Sequence, residues 1–303
     1  VSVVLAELGR QVAGRWAAVL LLPGAFYICA AVVAAVLGHG HALDPGPLRT
    51  WLDAVAAAPA GGRAGSVLIA AVAFTAASAA AGMAAAGGEL LVERLWSASG
   101  REPLLRRFTA ARRRRWERAE AEVRAALAEF AASGGAPAAA ERLRTAIARR
   151  DAVCTVPADR PTWAGDRLNA VDQRIHDRYR LDLSAAWPRL WLVLPETVRP
   201  ELVAAQTACA SAARLVGWGL LYLLLAVFWW PAALLAVAML LAARHRTRLA
   251  IGVYADLVES SVDMFGRDLV LQLGVNCPGR LTREIGEEAN SLLRKDRTDH
   301  SGG

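Results

Sequence analysis

The stretch that decides the fold is ELVAAQTACASAARLVGWGLLYLLLAVFWWPAALLAVAMLLAAR, residues 201–244, where the 42 residues between Glu201 and Arg244 carry Arg214 as their sole charge. One straight helix of that length would run roughly 63 Å, about twice the thickness of a bilayer core. Trp229-Trp230-Pro231 interrupts the most apolar part, and proline inside a helix removes a donor and clashes with the preceding turn. The reading is a membrane hairpin over 201–243: one arm from about Leu202 to Phe228, a turn at 229–231, and a return arm from Ala232 to Ala243. The return arm is short, so it must thin the bilayer or continue as a helix carrying Arg244, Arg246 and Arg248.

Two further apolar runs lie upstream. Residues 16–37, WAAVLLLPGAFYICAAVVAAVL, contain 22 uncharged residues, enough for roughly 33 Å of helix. They read as a first span with Pro23 inside it. A secretory signal is the rival reading, since Arg10 and Arg15 precede the run, but the run is long for a signal core and a second one follows. That second run, 64–88, is mostly Ala and Gly with Ser66, Thr75 and Ser78, a composition that suits packing on protein because small side chains let backbones approach. A chain of 303 residues that is 55% hydrophobic and only 21% charged, with mean hydropathy +0.30, is neither disordered nor an ordinary soluble domain.

Arginine placement sets the orientation. Seven arginines fall between Arg106 and Arg118, whereas the loop at 38–63 holds only Arg49 and Arg63. Positive residues stay inside, which puts the N-terminus (1–15) and 89–200 in the cytoplasm and 38–63 outside. Arg244, Arg246 and Arg248 then require an even number of crossings, so the expectation is an all-α polytopic protein with four spans and both termini inside. The alternative is a single kinked third span and an external C-terminus. Trp16, Trp218, Trp229 and Trp230 are expected as interface anchors, where an indole is at home. The net charge of +7 comes from 34 arginines and Lys295 against 28 acids, a preference that reflects base composition and says little about any one arginine.

The segment 89–156 reads as a cytoplasmic helical hairpin, with Trp116, Val123, Leu127 and Phe130 on one stripe, a break at Ser133–Pro137, and Leu143 and Ile147 on the return. Arg106, Arg107, Arg112, Arg113, Arg114 and Arg115 are candidate contacts to anionic lipid headgroups, at roughly 1 kcal/mol per charge, or simply the signal that fixes topology. Nucleic acid is not expected, because the basic run lacks interleaved aromatics and is tethered to a membrane. In 157–200, a helix from Pro161 to about Tyr179 buries Leu168, Val171 and Ile175. Trp187, Leu190, Trp191 and Leu194 then make a short interfacial helix with Pro188 in its first turn. Trp187, Arg189, Trp191, Asp166 and Arg167 are the candidate partner surface, against the plainer reading of a lid over the hairpin base. An amphipathic helix is expected over 244–275, whose Asp256, Glu259 and Asp263 share a face and suit solvated salt bridges better than a cation site. Residues 276–303 read as a flexible tail.

Pro161-Thr162 with Gly165-Asp166 and Ala170, then Arg178-Tyr179 with Leu181-Asp182, then Trp187-Pro188-Arg189-Leu190-Trp191 and Leu194-Pro195-Glu196 form a pattern. It resembles that of a family of uncharacterised bacterial multi-pass membrane proteins, and extends to Tyr254, Asp263, Arg267 and Leu269. The resemblance covers roughly the C-terminal half and implies a multi-pass architecture in a bacterial plasma membrane, with no assigned activity. Arg180 departs from it, since such proteins carry glycine after the tyrosine.

No GxxxxGK, GxGxxG, HExxH or GxSxG occurs, and Cys29, Cys154, Cys209 and Cys277 form no CxxC pair. His39, His41 and Asp44 lie close in sequence but read as solvated loop residues, so no metal or cofactor is expected. The first two spans hold no Asp, Glu, Lys, Arg or His, which disfavours ion-coupled transport. The functional expectation is a non-enzymatic membrane anchor or scaffold for a cytoplasmic protein, in contact with the lipid bilayer and a partner or itself. The alternative is a homo-oligomeric pore lined by Thr75 and Ser78. A lipid-directed enzyme using Asp166, Arg167 and His176 comes last.

Overall fold

The computed structural model describes residues 21–57, 63–98, 102–154 and 157–294. The N-terminal segment with Trp16, part of the loop at 38–63 and the last nine residues lie outside the described residues. Among the described residues there are ten α-helices and no strand: α1 Leu22–Leu37, α2 Gly46–Ala57, α3 Arg63–Ser97, α4 Pro103–Ala132, α5 Pro137–Val153, α6 Trp163–Tyr179, α7 Leu183–Val193, α8 Arg199–Leu225, α9 Pro231–Gln272 and α10 Arg283–Arg294. The all-α architecture is therefore the one expected. Two helices, 65–97 and Arg199–Leu225, are long and apolar enough to cross a membrane.

The chain forms two compact units, one of residues up to Glu93 with Ala210–Arg246, the other of Arg94–Cys209 with Thr247 onward. In the first, helices pack through glycine and alanine. A Cβ on Gly24 of α1 would strike the Ser78 carbonyl of α3, and one on Gly217 of α8 would strike the Ala85 carbonyl. A Cβ on Gly88 would lie 2.8 Å from the Gly217 Cα, and one on Gly219 2.8 Å from Leu240 of α9. Backbones this close gain dispersion contacts that a larger residue would forfeit. Tyr27 meets Tyr222 edge-on at 5.4 Å and Trp218 at 6.3 Å. Residues 226–230 break the helix before Pro231, as the Trp-Trp-Pro sequence requires, and α9 then continues unbroken to Gln272. The short return arm and the following amphipathic helix are thus one element.

The loop at 38–63 holds an element that sequence reading missed. α2 carries Leu48, Trp51, Leu52 and Val55 at helical spacing, and the last three are exposed.

In the second unit, α4 and α5 form the expected hairpin, turned at Gly134 and Gly135 with positive φ. A core of Val171, Ile175, Leu181, Leu190, Leu202 and Val262 ties α6 through α9 together. α6 starts two residues later than expected because the Thr162 hydroxyl accepts from the Gly165 N–H and sets the cap. α7 starts earlier, at Leu183, because the Asp182 carboxylate accepts from the Ser184 N–H. Pro188 therefore sits inside the helix and not in its first turn. Arg180 adopts φ 55° and ends α6 in the left-handed conformation, so the tight turn forms without glycine.

The tail is a correction. Residues 283–294 form α10, with Gly286, Ala289 and Leu293 buried. Gly286 lies so close to the Tyr179 carbonyl that a Cβ there would overlap it. Asn290 donates to the Arg180 carbonyl and accepts from the Asp182 N–H, and Arg294 pairs with Asp182 at 2.7 Å. These partners lie more than 100 residues away, so composition gave no sign of them.

Candidate functional site

The second unit is organised around α6. Asp166, in its first turn, is buried, and its Oδ1 accepts from the backbone N–H groups of Asp159 at 2.9 Å and Arg160 at 2.7 Å. Arg112 of α4 lies 2.8 Å from Oδ2 and also donates to the carbonyls of Val153 and Arg160. Burial pushes the Asp166 carboxyl upward, opposed by the Arg160 N–H, the Arg112 charge and the Asp159 N–H. Trp116 donates to the Cys154 carbonyl, and Arg248 donates to the Ala152 carbonyl while stacking over Trp163 at 5.3 Å. This knot fastens the loop between α5 and α6. It takes Asp166 out of the candidate partner surface and Arg112 out of the candidate headgroup contacts.

Along α6, Arg167 pairs with Asp256 at 2.5 Å and Arg174 grips Glu259 through Nε at 3.0 Å and a terminal nitrogen at 2.5 Å. Arg178 lies 4.0 Å from Asp263, which also accepts from the Tyr179 hydroxyl at 2.7 Å. The three α9 carboxylates are thus matched to one helix. Hydrogen bonds from Arg174 hold Glu259 below its ordinary value.

Beside this ladder α6, α7 and α9 enclose a cleft of about 350 Å³, walled by Leu168, Val171, Leu183, Trp187, Tyr254 and Val258. Asp172 stands on its edge, pushed upward by burial and then by the Asp182 charge. Trp187 is half-buried and its ring lies 6.3 Å from that of Trp191, which packs on the core. Arg189 folds back on the Ala185 carbonyl at 2.7 Å. Of the five expected partner-surface residues, Trp187 is the one lining the cleft. Asp172, Leu168 and Tyr254 were missed there, although an acid four residues after Leu168 on an otherwise apolar stripe was a readable signal.

The remaining candidates scatter. Arg106, Arg107, Arg114 and Arg115 are exposed and form no ion pair among the described residues, while Arg113 pairs with Glu117 at 3.4 Å. Thr75 is exposed and bonds the Ala71 carbonyl of its own helix, whereas Ser78 is buried where α1 crosses α3. Trp218 is buried against Ala81 and Ala85, Trp229 donates to the Ala42 carbonyl at 3.0 Å, and Trp230 is exposed. His39 bonds the Phe228 carbonyl at 2.7 Å, and Asp44 accepts from the Gly46 N–H. His176 is exposed, apart from buried Asp166.

Scans against protein-family models, curated proteins and solved structures each return no match to the chain.

Proposed function

We propose that the chain is a four-span membrane protein of the bacterial plasma membrane that holds a cytoplasmic protein at the cleft of α6, α7 and α9. The observation that carries the reading is that cleft: an apolar pocket with Trp187 in its wall and an exposed carboxylate, Asp172, in its lining. It suits an apolar side chain flanked by a lysine or arginine, because the cation offsets the cost of Asp172 as the apolar group leaves water.

Membrane insertion is supported by how little of the apolar helices is covered. Only 17% of the most apolar window of α3 and 44% of that of α8 is buried. Phe26, Ile69, Val72, Leu224 and Leu234 all stand exposed, a surface that water disfavours and lipid accepts. The four-span topology is supported by His39 and Ala42 meeting Phe228 and Trp229, since both segments belong outside in that scheme. A pore retains only Thr75 as lining, because Ser78 is spent on packing.

The test is the mass and composition of the particle after gentle detergent extraction from its source cell. A monomer or dimer with a stoichiometric soluble companion is expected, and Trp187→Ala and Asp172→Ala should each lower its capture tenfold or more. A closed homo-oligomer of three or more copies with no companion would overturn the anchor in favour of the pore.

A further inference from the structure

At the C-terminal end of α6, two turns beyond the residues it gives to the Trp187 cleft, a second cavity of about 470 Å³ is walled by Arg178, Tyr179, Asp263, Arg267, Arg280 and Leu281. Three guanidinium groups face one carboxylate there. That carboxylate is already engaged, by the Tyr179 hydroxyl on one oxygen and Arg178 near the other. An adjoining cavity shares Arg178 and Asp263, but its three arginines meet three carboxylates, Asp177, Glu259 and Asp263, so the excess charge belongs to the first alone.

The two uncompensated arginines are held differently. Arg267 of α9 donates through Nε to the Cys277 carbonyl at 3.3 Å, which fixes the guanidinium plane and leaves its terminal nitrogens for another acceptor. Cys277 is itself buried, so the loop bearing Arg280 is pinned to the core. Arg280 forms no ion pair among the described residues. Gly279 next to it meets nothing within 4 Å on that side, which leaves the wall open.

We propose that this cavity binds a phosphate-class anion, with Arg267 and Arg280 as its forked donors and Arg178 as supporting charge. Two guanidinium groups beside one neutralised carboxylate leave an excess of about two positive charges, the complement of a phosphate dianion, and paired N–H groups match its oxygens. The source is a phosphorylated solute or a lipid headgroup. The site stands apart from the Trp187 cleft and does not depend on a protein docking there.

The test uses the whole protein in nanodiscs of phosphatidylcholine, titrated calorimetrically with inorganic pyrophosphate. One site per chain is expected, weakened tenfold or more in R280Q and in R267Q and unchanged in the R107Q/R114Q control. R280Q is the cleaner variant, because the exposed side chain supports no other contact and its loss should leave the melting temperature unaltered. No heat at millimolar pyrophosphate, or equal affinity in R280Q and wild type, would overturn the proposal. Repeating the titration in phosphatidylglycerol nanodiscs separates the sources: weaker pyrophosphate binding there supports a headgroup occupant, and unchanged binding supports a soluble one.

Discussion

Buried Asp166 and half-buried Arg180 show how single positions carry opposite signs. Arg112 keeps Asp166 tolerable as an anion, so Arg112→Met should destabilise by about 3–5 kcal/mol, the usual cost of a buried charge left without its partner. Adding Asp166→Asn should recover much of that loss, and thermal melts of the double-mutant cycle would check it. Because burial raises the Asp166 value, the Arg112→Met defect should shrink as pH falls and the carboxyl protonates. Asp182 behaves the other way: Ser184 and Arg294 hold it down to about 2 against an ordinary 3.8, so its contribution is full above about pH 4 and fades as pH falls through 2. Asp182→Ala should cost about 1 kcal/mol at neutral pH through the lost cap of α7, and that difference should vanish in acid. Arg180→Gly should stabilise by about 0.5–1 kcal/mol, since a left-handed residue with a Cβ is strained and glycine is not.

Among the elements, α3 and α10 show where local reading ended. The run of small residues over 64–88 suggested that α3 packs on protein; it does so at the crossings of Ser78, Ala85 and Gly88 but leaves Val67, Leu68, Ile69 and Val72 exposed, and nothing local named Gly24 and Gly217 as the partners. Gly217→Leu should part α3 from α8 and lower the melting temperature in detergent markedly, whereas Gly65→Leu, in open space, should not. α10 went unread for a different reason. Ile285, Ala289 and Leu293 offered an apolar stripe at helical spacing, but what fixes the helix in place is Gly286, Asn290 and Arg294 fitting the carbonyls and carboxylate at 179–182. Gly286→Val should release it, and hydrogen exchange over 283–294 should then rise toward that of an unprotected chain while the core of α6 stays protected.

For the whole molecule, the four-span scheme makes a checkable statement about sides. With the four native cysteines replaced by alanine, single cysteines at Leu43 and Trp230 should both react with an impermeant maleimide added outside, and one at Glu129 should not. The sequence by itself determined that the described residues are helical, that the greasiest stretch breaks close to Trp229-Trp230-Pro231, although the break starts earlier, at 226, and where hairpins and stripes fall. Those features depend on length, charge and periodicity, which are local and add along the chain. It offered Trp187, which lines the cleft, to a partner surface but passed over Asp172 beside it, and it offered Asp166 and Arg112, which are paired with each other. Only the tertiary structure decided these, because burial and pairing depend on which distant residue arrives opposite: Arg112 on Asp166, Arg174 on Glu259, Asn290 on the end of α6. An arginine free to meet a ligand and one locked in a knot read alike in one dimension, and the difference lies in the contacts that folding supplies.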